Sequence, residues 1–382
     1  MAERDLSILI KDIDIITADS DFSVIKGGCI GIREDRIEFV AGDGTIPQGM
    51  KAGRVIDGRH RLVIPGLVNA HTHCGMTLLR NFADDLLLEE WLFKRIFPLE
   101  SRLTNKDIYW GTMLGIAEML KSGTTTFADM YLHMEAVAQA VLETGIRANL
   151  SKSPLRFDRC GKLDSDDSKG CYEYFRTWNE AGSGRIKVYV EVHSTYLFNE
   201  KSLKAAAELA KQCGTGIHIH LLETAGEREE SIGKYGRDPV ELCLECGIFD
   251  VPVIAAHCVH LSDENIRIIK EKGVNVVHNP SSNLKLGSGI ARIPGMLDAG
   301  INVSIGTDGA ASNNNLNMIE EMHLTALLHK GVNHDPTLMD AGRVIKMATA
   351  AGAEAAGFGT IVGAIREGMK ADLLLIDTDK PH

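Results

Sequence analysis

The sequence predicts an α/β fold: a (β/α)8 TIM-type barrel with a small, discontinuous β-sandwich module formed by the chain termini. Three observations lead there. From residue 62 onward, strand-like and helix-like stretches alternate until eight strands have passed, which implies parallel pairing and closure. The 382 residues suit a barrel of about 250 residues with an appended module. Histidines and an aspartate gather at the ends of the strand-like stretches, where a barrel of this kind carries its active site. Residues 1–59 and 365–382 are therefore expected to form the β module, and residues 60–364 a metal-dependent barrel.

Residues 6–18 alternate apolar and polar side chains, and residues 29–32 and 37–40 follow as short strands between glycine-containing turns. The barrel opens with a strand at 63–71. Later strands fall at 124–130, 147–151, 186–193, 216–221, 251–256, 273–278 and 301–306. Helices are expected at 135–143, 167–180, 200–212 and 262–272. The last carries Ile266, Ile268 and Ile269 and stops at Gly273, a residue type that commonly ends helices. Two further amphipathic helices, 317–330 and 340–352, follow the last barrel strand. Residues 371–377 contain Leu-Leu-Leu-Ile and read as a buried strand that rejoins the N-terminal module. Because the sequence stops at His382, that module is expected to keep one open edge.

Composition narrows the function. Hydrophobic residues make up 44% and charged ones 24%, enough for a full core, and the net charge of −11 argues against nucleic acid or an anionic membrane as partner. Eight cysteines form no framework. Cys243 and Cys246 make a lone C-x-x-C that reads as ordinary helix packing. The N-terminus has acids up front and too short an apolar run for a signal peptide, and no segment reaches the ~18 apolar residues of a membrane span. A cytoplasmic protein acting on a small molecule is expected. The oligomeric state is open, a homo-oligomer included.

The chemistry lies in the strand ends. His71 and His73 flank one residue, so both imidazoles leave one face of a strand. The fourth strand ends at His193, the sixth at His257, the seventh at His278 and the eighth at Asp308. On the fifth, His218 and His220 share a face; His220 sits nearer the mouth, and His218 reads as an inner, satisfied histidine. His71, His73, His220 and Asp308 supply three nitrogens and a carboxylate with room for water, the open arrangement of a catalytic metal site. An ion so held lowers the pKa of its water from ~15.7 towards ~7. One divalent ion is expected, zinc, with iron(II) as the alternative. Glu223, three residues past His220, suits proton transfer beside it, and His257 suits holding the attacking oxygen or orienting the leaving group.

These motifs, Pro-Gly-Leu-Val-Asn-Ala-His71-Thr-His73, His220-Leu-Leu-Glu223, Ala-Ala-His257 and Ser304-Ile-Gly-Thr-Asp308-Gly, resemble those of the amidohydrolase superfamily. Arg80, Leu88-Glu-Glu-Trp91-Leu, Asn279-Pro-Ser-Ser-Asn-Leu-Lys-Leu-Gly and Gly309-Ala-Ala-Ser312 resemble its methylthioadenosine/S-adenosylhomocysteine deaminase branch, of the ATZ/TRZ type. The resemblance implies hydrolytic loss of ammonia from C6 of an adenine nucleoside: adenosine, 5′-deoxyadenosine, methylthioadenosine or S-adenosylhomocysteine. It assigns the metal to His71, His73, His220 and Asp308, and proton transfer to Glu223. His257 would hold the attacking hydroxide, and Asp308 would also relay its proton. Ser312 would touch the base, Glu100 the ribose hydroxyls, His193 the region of the sugar, and Trp91 would wall the pocket.

The fourth strand ends Val-Glu-Val-His193 with no lysine to bridge two ions, which favours one. Other hydrolases of this scaffold, a guanine or cytosine deaminase or a triazine chlorohydrolase, are the alternative; Trp91 and Glu100, apt for a ribose, favour nucleosides. A non-catalytic barrel is opposed by the retained ligands. Lys152 stands where the resemblance leads one to expect an arginine that grips the S-adenosylhomocysteine carboxylate, with Arg156 and Arg159 nearby. A point charge grips a carboxylate less well than a planar fork, so substrates without the tail should do at least as well.

Overall fold

The computed structural model describes residues 5–42, 45–48, 50–158 and 160–380. Five strands open it: β1 (Leu6–Ile16), β2 (Val24–Arg33), β3 (Arg36–Ala41), β4 (Ala52–Asp57) and β5 (Arg61–Pro65). β1 is the hub. It pairs antiparallel with β2, and parallel with β4 along residues 6–11 and with β5 at Asp14 and Ile15. Ile10, Ile13, Ile15, Ile30, Ile37 and Val63 turn into one apolar core.

The expected first barrel strand, 63–71, is two strands belonging to two sheets. Gly66 separates β5 from β6 (Leu67–Thr72). The Gly66 amide donates to the Asp372 carbonyl at 2.8 Å, and a Cβ there would stand 2.1 Å from Thr125 Oγ1. Only a glycine lets the backbone cross this closely from one sheet into the other.

The barrel continues with β7 (Thr124–Met130) and β8 (Arg147–Lys152). A small hairpin follows, β9 (Leu155–Phe157) and β10 (Leu163–Asp166), and then β11 (Ile186–Val192), β12 (Ile217–Leu221), β13 (Val253–His257), β14 (Asn275–His278) and β15 (Val303–Ile305). The eight barrel strands are hydrogen-bonded in chain order and every pair is parallel. At the seam the Asp308 amide donates to the His71 carbonyl at 3.0 Å, joining the last strand's exit to the first. Val68, Ala128, Tyr189, Ile254 and Val277 form an apolar cluster with Phe358 and Val362. Outside, the helices bury Leu203, Ala206, Ala210 and Ile269 against the strands. Each large aliphatic so buried stabilises the fold by roughly 1.5–3 kcal/mol.

The helix expected at 340–352 is two, Ala341–Met347 and Ala350–Ala355. The break has a purpose: the Ala348 carbonyl leaves the helical ladder to accept from the Val68 amide of β6 at 2.8 Å. Cys243 is fully buried on the helix Pro239–Glu245, as packing requires.

The chain then returns to the terminal sheet. β16 (Leu373–Asp377) pairs antiparallel with β5, Leu373 facing Pro65 and Asp377 facing Arg61. Just before it, the Ile37 amide of β3 donates to Met369 O at 2.8 Å, so the sheet curls round its core. Among the described residues no strand covers the far edge of β16, the open edge expected. Arg147 ties sheet to barrel through Asp372, with Nε–Oδ2 at 3.1 Å and Nη2–Oδ1 at 3.2 Å. No helix among the described residues is long and apolar enough to cross a membrane.

Candidate active site

Barrel strands deliver the site because each ends at the same rim. His71 leaves β6 completely buried, and His73 follows just past the strand. His220 comes from β12, His257 from the last position of β13, and Asp308 from the loop after β15. Leu222, His257, Cys258 and Asp308 have φ between +49° and +71°, in the left-handed region that non-glycine residues rarely adopt. Backbone held this way at three strand ends turns the side chains sharply inward, and such strain concentrates at functional sites.

Three imidazole nitrogens and a carboxylate oxygen converge. His73 Nε2 lies 3.2 Å from His220 Nε2 and 3.2 Å from Asp308 Oδ1, and His71 Nε2 lies 3.4 Å from Asp308 Oδ1. Ligands ~2.0–2.2 Å from a tetrahedral zinc stand roughly 3.3–3.6 Å apart, so these spacings are those of a ligand shell. His73 Nδ1 bonds the Met130 carbonyl and His220 Nδ1 bonds the His193 carbonyl at 2.7 Å. Each Nδ1 therefore carries the proton, and the facing Nε2 atoms both present lone pairs. His71 Nε2 is buried with no hydrogen-bond partner. These atoms could together hold one cation. The residues fit a divalent metal. His257 also comes within reach, grouped with His71 and His220 inside 4.8 Å.

Without an ion, burial and the Asp308 carboxylate set the charges of the site. Burial drives His71 down to about 4, although Asp308 opposes it. Burial works against a charged His73 too, but the Asp308 carboxylate outweighs it and lifts His73 to about 9. Burial disfavours the Asp308 carboxylate, yet the neighbouring His71 and His73 imidazoles hold it well below the usual range. Ser282 Oγ and Ser312 Oγ donate to Asp308 Oδ2 at 2.6 and 2.8 Å, and the Gly309 amide donates to Oδ1 at 2.8 Å. Ser312 is thus a support for Asp308. Its expected contact with the base would come from this position beside Asp308.

A cleft of about 540 Å3 opens above these groups. Glu223 lines it from the loop after β12; burial raises its pKa, and its Oε2 lies 3.7 Å from His257 Nε2. His257 Nδ1 bonds Asn283 Oδ1 at 2.8 Å, which leaves Nε2 to the cleft. Trp91 and Glu100 reach the cleft from one continuous helical stretch, Leu88–Trp91, Leu92–Ile96 and Phe97–Glu100, whose middle turn is a π-turn. Burial lifts the Glu100 carboxyl to about 7, and its Oε1 has no partner. His193 also lines the cleft, its ring 4.7 Å from that of His220.

At the far end stand Lys152 and Arg156. Lys152 Nζ is 2.6 Å from Glu135 and lies over the Tyr174 ring, and Arg156 is 3.0 Å from Asp167. Arg159 lies outside the described residues.

His218 is an inner histidine, as expected: its Nε2 is 2.9 Å from His71 Nδ1 and its Nδ1 is 3.3 Å from Ser151 Oγ. Several supports escaped the sequence reading. Glu227 accepts from Thr195 Oγ1 at 2.7 Å and from the Glu223 amide at 3.2 Å, holding the Glu223 loop. Glu321, on the helix Met318–Asn333, accepts from the Ser281 amide at 3.2 Å and from Asn313 Nδ2 at 2.8 Å. It thereby braces the segments that carry Ser282, Asn283 and Ser312. Glu191 lines the cleft with an unpartnered Oε2. Glu227 gave no signal because it lies in a charged run, while Glu191, inside the apolar strand Ile186–Val192, was the one such acid the pattern could have singled out.

Comparison with known proteins agrees with this geometry. A protein of Acetivibrio thermocellus named 5-methylthioadenosine/S-adenosylhomocysteine deaminase is 61% identical over 381 residues, spanning 99% of this chain and 87% of its own. A 5′-deoxyadenosine deaminase of Methanosarcina mazei is 44% identical over 375 residues, 98% of this chain and 85% of that one. Among solved structures, a zinc-bound adenosine deaminase from Xanthomonas campestris superposes with a TM-score of 0.93 at 32% identity, covering 98% of this chain and 86% of the other. The Amidohydrolase family model matches residues 62–382. With the barrel, the strand-end ligand set and these relatives in agreement, the chain belongs to the amidohydrolase family.

Proposed function

We propose that the chain is a hydrolytic deaminase of adenine nucleosides that works with one divalent ion, zinc, held by His71, His73, His220 and Asp308. One observation carries the reading: three imidazole nitrogens and a carboxylate meet at ligand spacing beside a buried glutamate and histidine, at the floor of a nucleoside-sized cleft. An ion bound there supplies water acidic enough to attack at neutral pH.

The side chains do the rest. Asp308 takes the proton of the attacking water, whose oxygen bonds to C6. His257, its Nδ1 committed to Asn283, directs Nε2 at that oxygen. Glu223, kept protonated to higher pH by burial, gives its proton to the ring nitrogen next to C6. Asp308 then passes its proton to the amino group, the C6–N bond breaks and ammonia leaves, and the proton of the new C6 hydroxyl returns to Glu223 as an inosine-type carbonyl forms. Glu100 accepts from the ribose hydroxyls, and Trp91 closes the wall.

Among the described residues, two cations at the far end are already paired with acids, Lys152 with Glu135 and Arg156 with Asp167. A carboxylate tail must compete with those partners, so adenosine, 5′-deoxyadenosine and methylthioadenosine are turned over at least as efficiently as S-adenosylhomocysteine. Measuring kcat/KM for the four side by side tests this; a tenfold preference for the tailed substrate, about 1.4 kcal/mol, overturns it. The activity itself is tested by ammonia release from a nucleoside panel, with elemental analysis. One ion per chain is expected, lost together with turnover in Asp308→Ala and His220→Ala. Two ions, or full turnover after stripping, refute the mechanism.

A further inference from the structure

We propose that His218 and Ser151 are positioning residues: a buried two-link relay beneath the ion that sets the tautomer of His71 and with it the affinity for the metal. The inference rests on the reading of His71 as a ligand.

A neutral imidazole donates from one nitrogen and accepts at the other. To offer a lone pair at Nε2, His71 must carry its proton on Nδ1. That atom lies 2.9 Å from His218 Nε2, which must then accept. The proton of His218 is thereby confined to Nδ1, where Ser151 Oγ stands 3.3 Å away to receive it. All three residues are fully buried, so no bulk water substitutes for a missing partner.

The two other histidine ligands are anchored differently. His73 and His220 donate to the backbone carbonyls of Met130 and His193, which can only accept. Their tautomers are fixed outright. His218 can be written either way round. With its proton on Nε2 it would face His71 Nδ1 as a donor, moving the His71 proton to Nε2 and closing that nitrogen to a cation. The seat of Ser151 is what lets the open form exist, so the relay biases one ligand of the site from two side chains away. Partners of metal-bound histidines typically change affinity by about 10–100-fold when removed.

The test is chelator competition for zinc on the whole protein, read beside thermal unfolding of the metal-free forms. His218→Leu keeps the apolar volume and removes the acceptor, and should weaken zinc binding by about 10–100-fold while the metal-free protein unfolds no earlier than wild type. His218→Gln, which accepts through its carbonyl and donates through its amide, should recover most of that loss. Ser151→Ala, the milder change, should weaken zinc binding by several-fold and serves as well where His218→Leu does not fold. Unchanged affinity in Ser151→Ala, or equal losses in the Gln and Leu variants, overturns the relay. A wild-type protein that binds no zinc defeats the metal reading itself; one that binds zinc while the variants bind it equally defeats only the relay.

Discussion

Replacing Glu223 by glutamine keeps its size and its reach to Ser288 and His257 but leaves nothing to transfer as an acid. Zinc content should therefore stay at the wild-type level while kcat falls by about 10²–10⁴-fold. A fall in zinc content to match would move Glu223 into the ligand shell. The residues proposed to surround the reacting atoms were legible because their chemistry is rare: His71, His73, His220, His257 and Asp308 sit at or just past strand ends, where packing has no use for them. The residues behind them were not. Ser312 and a surface serine look alike in sequence, and only the turn at Gly309 aims its hydroxyl back at Asp308. Glu227 hides in a charged run of which it is a buried member.

At the scale of elements, the seam between the last barrel strand and the first is the sensitive joint. Gly306 sits there, and a Cβ on it would lie 2.6 Å from Asn279 Oδ1 and 2.8 Å from both His71 N and His71 O. Gly306→Ala must push His71 away from Asp308. It should lower stability by about 1–3 kcal/mol, the scale of overpacking, and weaken metal binding with it. A variant with wild-type melting temperature and zinc affinity would show that the seam yields. Seven of the eight barrel strands fell where their apolar runs put them, because a strand buried on both faces has few other readings. The first did not, since an apolar run shows burial and not which sheet does the burying. The π-turn at Leu92–Ile96 was equally invisible: one added residue in a turn leaves no mark on the pattern, yet it rotates Glu100 relative to Trp91.

Across the whole molecule, the buried acids and histidines set a pH dependence. Burial raises Glu191 and Glu227 to about 8 and Glu321 to about 7. Folded, these groups keep protons that the unfolded chain has already released, so their contribution to stability falls as pH climbs from ~4.3 up through those values. Burial lowers His329 to about 4 and His193 to about 3, so the unfolded chain binds the extra proton there and their own contribution rises until pH ~6.5. Above ~6.5 the acids act alone. From pH ~6.5 to pH 8 the denaturation midpoint of the metal-free protein should therefore fall; a midpoint that rises over that interval contradicts the burial of these carboxyls.

The pairing of β5 with β16 carries a consequence for the order in which the molecule can form. Arg61–Pro65 sits directly ahead of the first barrel strand, yet its partner Leu373–Asp377 lies some 310 residues further along the chain. On a ribosome every barrel strand emerges before that partner does. Leu62 and Ile64 wait through the whole of synthesis with one edge uncovered. During synthesis the terminal sheet can therefore be completed only once every barrel strand is out, like a clasp fastened at the end. Refolding from denaturant should show the same sequence as a late, slow phase, sensed by a probe on β16 after the barrel signal has levelled off.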